Sequence, residues 1–264
     1  SDASFDVKKT NDYFIVAAYQ GLFKFKDDKF DLISPESQFS KRWYFSVLPF
    51  SNSEVYLGST PGLISLSNLS EYKIIGLERK IIFTSMKDHL GNVWIGTNTG
   101  LFLRSGEDFI QQDYTTSEIE IKKLLEVNNK DLYIGTANGL IIVENGTVPF
   151  ANKKITKPEE THLPLLPVND LVADADGEII LAIGKDLFVF DNQKQKTTVN
   201  DLSNIEIIVL YIDKNNRLWA GANSSGLYVL QKINGNYKVT SHYTYKDGIS
   251  SDEFAYNNSI CEDD

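Results

Sequence analysis

The chain has 264 residues, and its 36 acidic against 26 basic side chains give a formal net charge of -10, which argues against a nucleic-acid partner because phosphate recognition needs clustered cations. No apolar run approaches the ~20 residues of a membrane span, and the single cysteine, Cys261, has no internal partner for a disulfide. Residues 1–264 are expected to form one large domain, burying about 70–75% of the surface that the unfolded chain exposes.

A short pattern recurs along the chain, and each copy ends in a leucine: Leu22, Leu63, Leu101, Leu140, Leu187 and Leu227. Their spacing of roughly 40 residues is the period of a four-stranded propeller blade. The first copy places Ile15, Ala17, Leu22 and Phe23; the second places Tyr56, Gly58, Leu63 and Ile64. The third, residues 88–102, reads DHLGNVWIGTNTGLF, and residues 128–141 echo it as the fourth. A Pro-rich stretch, 153–167, lengthens the next interval and reads as a loop within the propeller. The fifth copy supplies Ile180, Ala182, Leu187 and Phe188, and the sixth Trp219, Gly221, Leu227 and Tyr228.

Aligned on the leucine, the copies share a small residue a few positions earlier: Ala17, Gly58, Gly96, Gly135, Ala182 and Gly221. A small residue in a strand marks close approach of another group. The bulky column two residues before it (Ile15, Tyr56, Trp94, Tyr133, Ile180, Trp219) is the expected partner. Polar stretches at 88–92, 128–131, 174–178 and 213–217 carry the Asn, Asp and Gly of tight hairpins. Asp174-Ala175-Asp176-Gly177 has a calcium-loop look but lacks the further oxygen ligands and the distal Glu of an EF-hand, so it reads as a turn. A second turn, Thr-x-x-Gly-Leu, joins strands two and three.

In the sixth repeat the expected strands are 205–212, 218–222, 227–233 and 237–243. No segment holds an amphipathic helical period with caps, so the fold class is all-β: a β-propeller of four-stranded antiparallel blades, six repeats plus the first strand of a further one. The chain stops inside what would be the next hairpin turn, which suggests a piece of a longer chain. Two closures are open. Residues 254–262 form the inner strand of a blade completed by 13–33, giving six blades, or residues 4–8 are already that inner strand and a seventh blade is incomplete.

The string Asp-x-x-Gly-Asn-Val-Trp-Ile-Gly-Thr-x-x-Gly-Leu at 88–101 and Tyr-x-x-x-Asp-Gly-Ile-Ser-Ser-Asp-Glu-Phe at 243–254 resemble the two-component regulator propeller repeat. Repeats one and five depart from it, with Ala17-Ala18 for Gly-Thr and Lys185-Asp186 for x-Gly. The resemblance implies the periplasmic sensor region of a hybrid two-component system, often one that controls polysaccharide use. It further implies neighbouring propeller and immunoglobulin-like domains, a membrane helix and a histidine kinase elsewhere in the parent chain, with a homodimer there and an oligosaccharide as ligand. Residues 254–259 are similar to the last propeller repeat before the immunoglobulin-like domain.

No catalytic string is present. His89, His162 and His242 fall in a hairpin turn, the long loop and an outer strand, outside any metal-binding pattern. The chain is expected to be no enzyme and to need no cofactor or metal. Binding residues usually sit on loops over a rigid scaffold, here on the blade end that carries the Thr-x-x-Gly turns and the connections to the next blade. The candidates there are Tyr19, Arg42, Trp43, Asn98 and Asn138, then Glu159, Glu160 and His162 of the 153–167 loop, and Tyr256 with Asn257. Trp43 beside Arg42 is the sharpest, since an indole stacks on a sugar ring and a guanidinium binds hydroxyls or a carboxylate; its alternative is a Trp packed at the start of an inner strand. Three function classes follow: a ligand-sensing module, a scaffold or dimerisation propeller of the same receptor, and a propeller hydrolase or lyase. Fold alone does not choose among them.

Overall fold

The computed structural model describes residues 4–10, 12–18, 21–33, 43–51, 53–60, 62–115, 118–190, 196–254 and 260. Among them the chain forms six four-stranded antiparallel sheets, each built from strands consecutive both in sequence and in space. These are the propeller blades that the repeats predict. Helical structure among the described residues is confined to single 3-10 turns at Pro158–Glu160, Asn200–Leu202 and Tyr245–Asp247.

The first blade is β1 (Ser4–Lys9), β2 (Phe14–Ala18), β3 (Gly21–Lys26) and β4 (Lys29–Leu32). The second is β5 (Tyr44–Pro49), β6 (Glu54–Ser59), β7 (Gly62–Ser67) and β8 (Glu71–Gly76). The third is β9 (Ile82–Lys87), β10 (Val93–Thr97), β11 (Gly100–Ser105) and β12 (Asp108–Gln111). The fourth is β13 (Ile121–Val127), β14 (Asp131–Thr136), β15 (Gly139–Glu144) and β16 (Lys154–Thr156). The fifth is β17 (Val168–Ala173), β18 (Ile179–Ile183), β19 (Asp186–Phe190) and β20 (Lys196–Thr198). The sixth is β21 (Ile207–Ile212), β22 (Leu218–Ala222), β23 (Leu227–Ile233) and β24 (Asn236–Tyr243). The chain packs as two compact units that divide in sequence between Leu124 and Leu125, inside β13.

Each Thr-x-x-Gly turn is held by its own hydroxyl. Thr97 Oγ1 donates to the Gly100 carbonyl at 2.9 Å and accepts from the Thr99 amide at 3.0 Å; Thr136 Oγ1 donates likewise to Gly139 at 2.7 Å. The glycine closes the turn at φ 113° in the third blade and 96° in the fourth, a backbone region that a side chain would strain.

The small-residue column does mark close packing, but its partner differs from the one expected. A Cβ on Gly96 would lie 2.5 Å from Thr84 Cγ2 and 2.7 Å from Ile121 Cγ2, and one on Gly135 would lie 2.9 Å from Val168 Cγ1. Gly96 is thus pressed by its own inner strand and by the first residue of the next, and Gly135 by Val168 and Leu171 of the next inner strand, not by the aromatic column. The aromatic column instead serves the hairpin: the indoles of Trp94 and Trp219 each donate at 2.8 Å to an Asp of the preceding turn.

Where the small residue is alanine, the inner strand changes too. Asp6 and Asp170 pair in register with Ala17 and Ala182, and both carboxylates are buried. With an alanine methyl in the way, each side chain reaches to the next inner strand: Asp6 Oδ2 accepts from the Val47 amide at 2.7 Å and Asp170 Oδ2 from the Leu210 amide at 2.8 Å. The two repeats that depart from the consensus therefore compensate with a buried carboxylate bonded to the following blade.

Two expectations change shape. The 153–167 stretch is not all loop, because Lys154–Thr156 pairs with β15 as the outer strand of the fourth blade, and only the remainder connects to the fifth. Of the two closures, the second describes the first blade, since Ser4–Lys9 pairs with Phe14–Ala18 as its inner strand. Phe254 lies against Gly221 as Ile121 lies against Gly96, and its amide donates to the Ala222 carbonyl at 3.1 Å.

Candidate functional site

Of the ten residues singled out from sequence, Tyr19, Arg42, Tyr256 and Asn257 lie outside the described residues. Trp43 immediately precedes β5, where Tyr44 is the residue that packs: Tyr44 is fully buried and Trp43 is 46% exposed. The indole meets Phe45 edge-on at 6.0 Å, and the Trp43 carbonyl accepts from the Thr60 amide at 3.2 Å. An open aromatic surface is thereby fixed at the loop end of the second blade.

The other loop-end candidates differ in burial and bonding. Asn98 is engaged, its amide oxygen accepting from the Ile81 amide at 3.0 Å so that the Thr-x-x-Gly turn is tied to the start of its inner strand. Asn138 is exposed in the equivalent turn of the fourth blade. Glu160 caps its own 3-10 turn by accepting from the Lys157 amide at 2.8 Å, while Glu159 and His162 are exposed. His242 is stacked on Tyr228 with ring centroids 4.1 Å apart and bonds the Ser225 carbonyl at 2.6 Å.

A concave site that the sequence reading missed lies between the second and third blades. It is a cleft of about 560 Å³ whose floor and walls include Glu54, Tyr56, Ser65, Arg104, Ile75 and Phe109. Across the second blade, Tyr56, Ser65 and Lys73 are cross-strand neighbours on β6, β7 and β8, so their side chains share one face. Arg104 approaches from β11 of the third blade. Its guanidinium bonds the Tyr56 hydroxyl, donates through Nε to the Gly106 carbonyl at 2.9 Å, and lies 5.2 Å and 5.3 Å from the Tyr56 and Phe50 ring centroids. Those two rings stack at 4.6 Å, which makes a rigid cation–π platform. Ser65 Oγ donates to Glu54 Oε1 at 2.5 Å. Burial pushes the Tyr56 phenol above its ordinary pKa, with Arg104 opposing the rise and Glu54 adding to it.

The signal for this cleft was present as two polar residues, one in a column that is apolar in the third to sixth blades and holds Lys24 in the first, the other in a column that is apolar in every other blade. At the register of Ser65 the third to sixth blades carry Leu103, Ile142, Val189 and Val229, each beside its own blade's bulky column. At the register of Arg104 the other blades carry Phe25, Leu66, Val143, Phe190 and Leu230. Between the fourth and fifth blades the two columns meet as Ile142 and Phe190 inside one core cluster. Between the second and third they meet as Ser65 and Arg104, and the space stays open.

A further charged cluster joins the fifth and sixth blades. Lys232 Nζ lies 2.5 Å from Asp174, 2.6 Å from Asp176 and 2.9 Å from Glu178, and the Tyr237 hydroxyl donates to Asp174 Oδ2 at 2.7 Å. Burial alone would lower the Lys232 pKa, but the bonds to three carboxylates outweigh it and hold the ammonium above its ordinary value. All of these groups satisfy one another, so the cluster is structural.

No protein-family model matches the chain, and no curated protein does. Solved structures do. The extracellular domain of BT4673 from B. thetaiotaomicron, described as a hybrid two-component system, aligns with TM-score 0.79 at 17% identity over 96% of this chain and 35% of that one. PorZ, a surface component of the type-IX secretion system of Porphyromonas gingivalis, aligns with TM-score 0.75 at 10% identity over 95% of this chain and 43% of its own. Virginiamycin B lyase from Staphylococcus aureus aligns with TM-score 0.70 at 9% identity, covering 90% of this chain and 83% of the lyase. At these identities the likeness establishes the propeller fold. The chain spans about a third of the BT4673 domain and less than half of PorZ.

Proposed function

We propose that this chain is a ligand-sensing propeller module of a hybrid two-component receptor, placed on the periplasmic side of the membrane and responding to an oligosaccharide. The observation that carries the reading is the likeness of nearly the whole chain to an extracellular domain described as part of such a system. The repeat strings at 88–101 and 243–254 support it independently. On this reading the histidine kinase belongs to other parts of the parent chain, and this propeller has no turnover of its own. Neighbouring receptor domains and a second receptor copy are its protein partners. Trp43 is the sugar contact in the first unit, because it is half exposed at a loop end and its ring is fixed by Phe45.

The test is calorimetry of oligosaccharides against the wild-type chain and Trp43→Ala, with the whole extracytoplasmic region in parallel. Binding that weakens with Trp43→Ala supports the reading. Sugar binding that ignores Trp43 moves the contact elsewhere, and no sugar binding in either preparation makes the propeller a scaffold. The likeness to a lyase makes a second assay decisive in the other direction. Turnover of quinupristin, the compound bound by a catalytically inactive virginiamycin B lyase of the same fold, would overturn the receptor assignment.

A further inference from the structure

The cleft between the second and third blades differs from its counterparts in a directed way. Random loss of packing would leave a void lined by apolar groups. Here one break removes volume, at Ser65, and the other, on the third-blade wall of the same cleft, inserts a cation at Arg104, which bonds Tyr56, the cross-strand neighbour of Ser65. Both changes forfeit apolar burial that the fourth and fifth blades retain with Ile142 and Phe190. The space obtained, about 560 Å³, is within the range of roughly 300–1,000 Å³ typical of small-molecule sites.

Its charges limit what can enter. Arg104 and Glu54 are the partly buried ions, and Lys73, Glu78 and Glu107 stand exposed at the margin. A guanidinium has five N–H donors, of which the Tyr56 hydroxyl and the Gly106 carbonyl take two. Glu54 gives one oxygen to Ser65 and so retains acceptor capacity. A dianion would face three carboxylates, and a simple cation would face Arg104 and Lys73. A ligand that carries both signs meets both, while Ile75 and Phe109 offer apolar contact elsewhere on the cleft wall. We infer that this cleft binds a zwitterionic peptide of two or three residues, its terminal carboxylate on Arg104 and its terminal ammonium on Glu54. The site is independent of Trp43 and of the oligosaccharide reading.

The experiment titrates trialanine, N-acetyl-trialanine and trialanine amide into the chain by calorimetry. Wild type should bind trialanine, and capping either end should weaken binding at least about tenfold, the equivalent of one lost charge pairing of about 1.4 kcal/mol. Glu54→Gln, which keeps side-chain shape, should erase the difference between trialanine and its N-acetyl form. The double variant Ser65→Ile with Arg104→Phe installs the residues found at the equivalent places of the fourth and fifth blades; it should abolish binding and raise the denaturation midpoint. Should that variant misfold, Arg104→Lys gives the second reading, with trialanine weakened and its amide unaffected. Absence of heat with wild type for a panel of di- and tripeptides at millimolar concentration would overturn the proposal. So would capped peptides that bind as well as trialanine, or binding that persists in the refilled variant. Oligosaccharide titrations into the same variants keep the two sites apart, because a Trp43 site should not respond to changes at Ser65 and Arg104.

Discussion

The first hairpins of the third and fifth blades solve one problem with different partners. In both, the Asp that opens the turn accepts two backbone amides through Oδ1: Leu90 at 3.0 Å and Asn92 at 2.8 Å on Asp88, Asp176 and Glu178 at 2.9 Å each on Asp174. The second oxygen is what differs. On Asp88 it takes the Trp94 indole N–H at 2.8 Å and the Asn92 amide at 2.9 Å, both from the same hairpin. The fifth blade has Ile180 at the Trp94 position, a side chain with no donor. Asp174 is instead completed by Tyr237 and Lys232 of the sixth blade. Asp213 of the sixth blade returns to the local solution, with Trp219 at 2.8 Å and Arg217 at 2.6 Å. Losing one indole has thus turned a bond within a blade into a clamp between two, because a buried carboxylate oxygen must be satisfied from wherever a donor can reach it.

The sharpest way to break this comparison is to remove the two carboxylates. Asp174→Ala takes the acceptor from a partly buried ammonium and a buried phenol as well as from the turn, and should cost about 3–4 kcal/mol, the lower range for breaking a buried ion pair because Lys232 retains Asp176 and Glu178. Asp88→Ala strands neutral donors only and should cost about 2–3 kcal/mol. Urea midpoints of both variants test the order. A double-mutant cycle of Asp174→Ala with Tyr237→Phe should show coupling of about 1 kcal/mol, whereas Asp88→Ala with Tyr237→Phe should be additive. Additivity in the first pair would dissolve the clamp.

What the sequence disclosed follows the same division between local and distant. The hairpins, the Thr-x-x-Gly turns and the sixth-blade strands are local, and they appear at 218–222 and 227–233 as expected. The outer strand Lys154–Thr156 was hidden because three exposed or half-exposed residues carry no alternation. The Tyr237 clamp was hidden because its partner stands 63 residues away, beyond any repeat alignment. The cleft was visible in principle, since Arg104 interrupts an apolar column and Ser65 stands where the third to sixth blades are apolar, but with Lys24 at the same register of the first blade each looks like a surface residue until the facing column is known. Among the described loop-end candidates Trp43 is both aromatic and exposed, whereas the Asn98 oxygen is committed to the Ile81 amide.

Acid should separate the clamp from the local hubs less strongly than mutation does. Burial works to raise the Asp174 pKa, but the bonds from Lys232, Tyr237 and Glu178 prevail and hold it below the ordinary carboxylate value of 3.8. A depressed folded-state pKa adds stability that is present above the unfolded value and is lost as pH falls through the folded one. Lys232, raised from 10.5, contributes in full below that value and loses its contribution only as pH climbs past its folded pKa. The clamp is therefore complete from mildly acid to mildly basic solution and fails first on the acid side, below about pH 4. Denaturation midpoints between neutral pH and pH 3 should fall more steeply for wild type than for Asp174→Asn, which has no such proton to bind. Parallel slopes would mean that the clamp carboxylate is not held ionised by its partners.

The smallest effect expected is a contrast between the two indoles. Trp94→Phe removes the N–H that completes Asp88 and leaves a gap at a site only 2% exposed, so turn bonding and packing are lost together, at about 2–3 kcal/mol. Trp219 makes the same bond to Asp213, but Arg217 also reaches that oxygen and its guanidinium covers the indole at 5.3 Å from the ring. The Asp213 carboxylate therefore keeps a charged donor when the indole is gone, and the partly exposed ring gives up less buried area. Trp219→Phe should cost about 1 kcal/mol. The ordering tests the idea that a hub oxygen is indifferent to which donor serves it: equal losses for the two variants would show that the indole geometry itself, and not satisfaction of the carboxylate, sets the stability of these hairpins. In that case the Ile180 blade should be the weakest of the three, and proteolysis of the native chain should begin at residues 174–178.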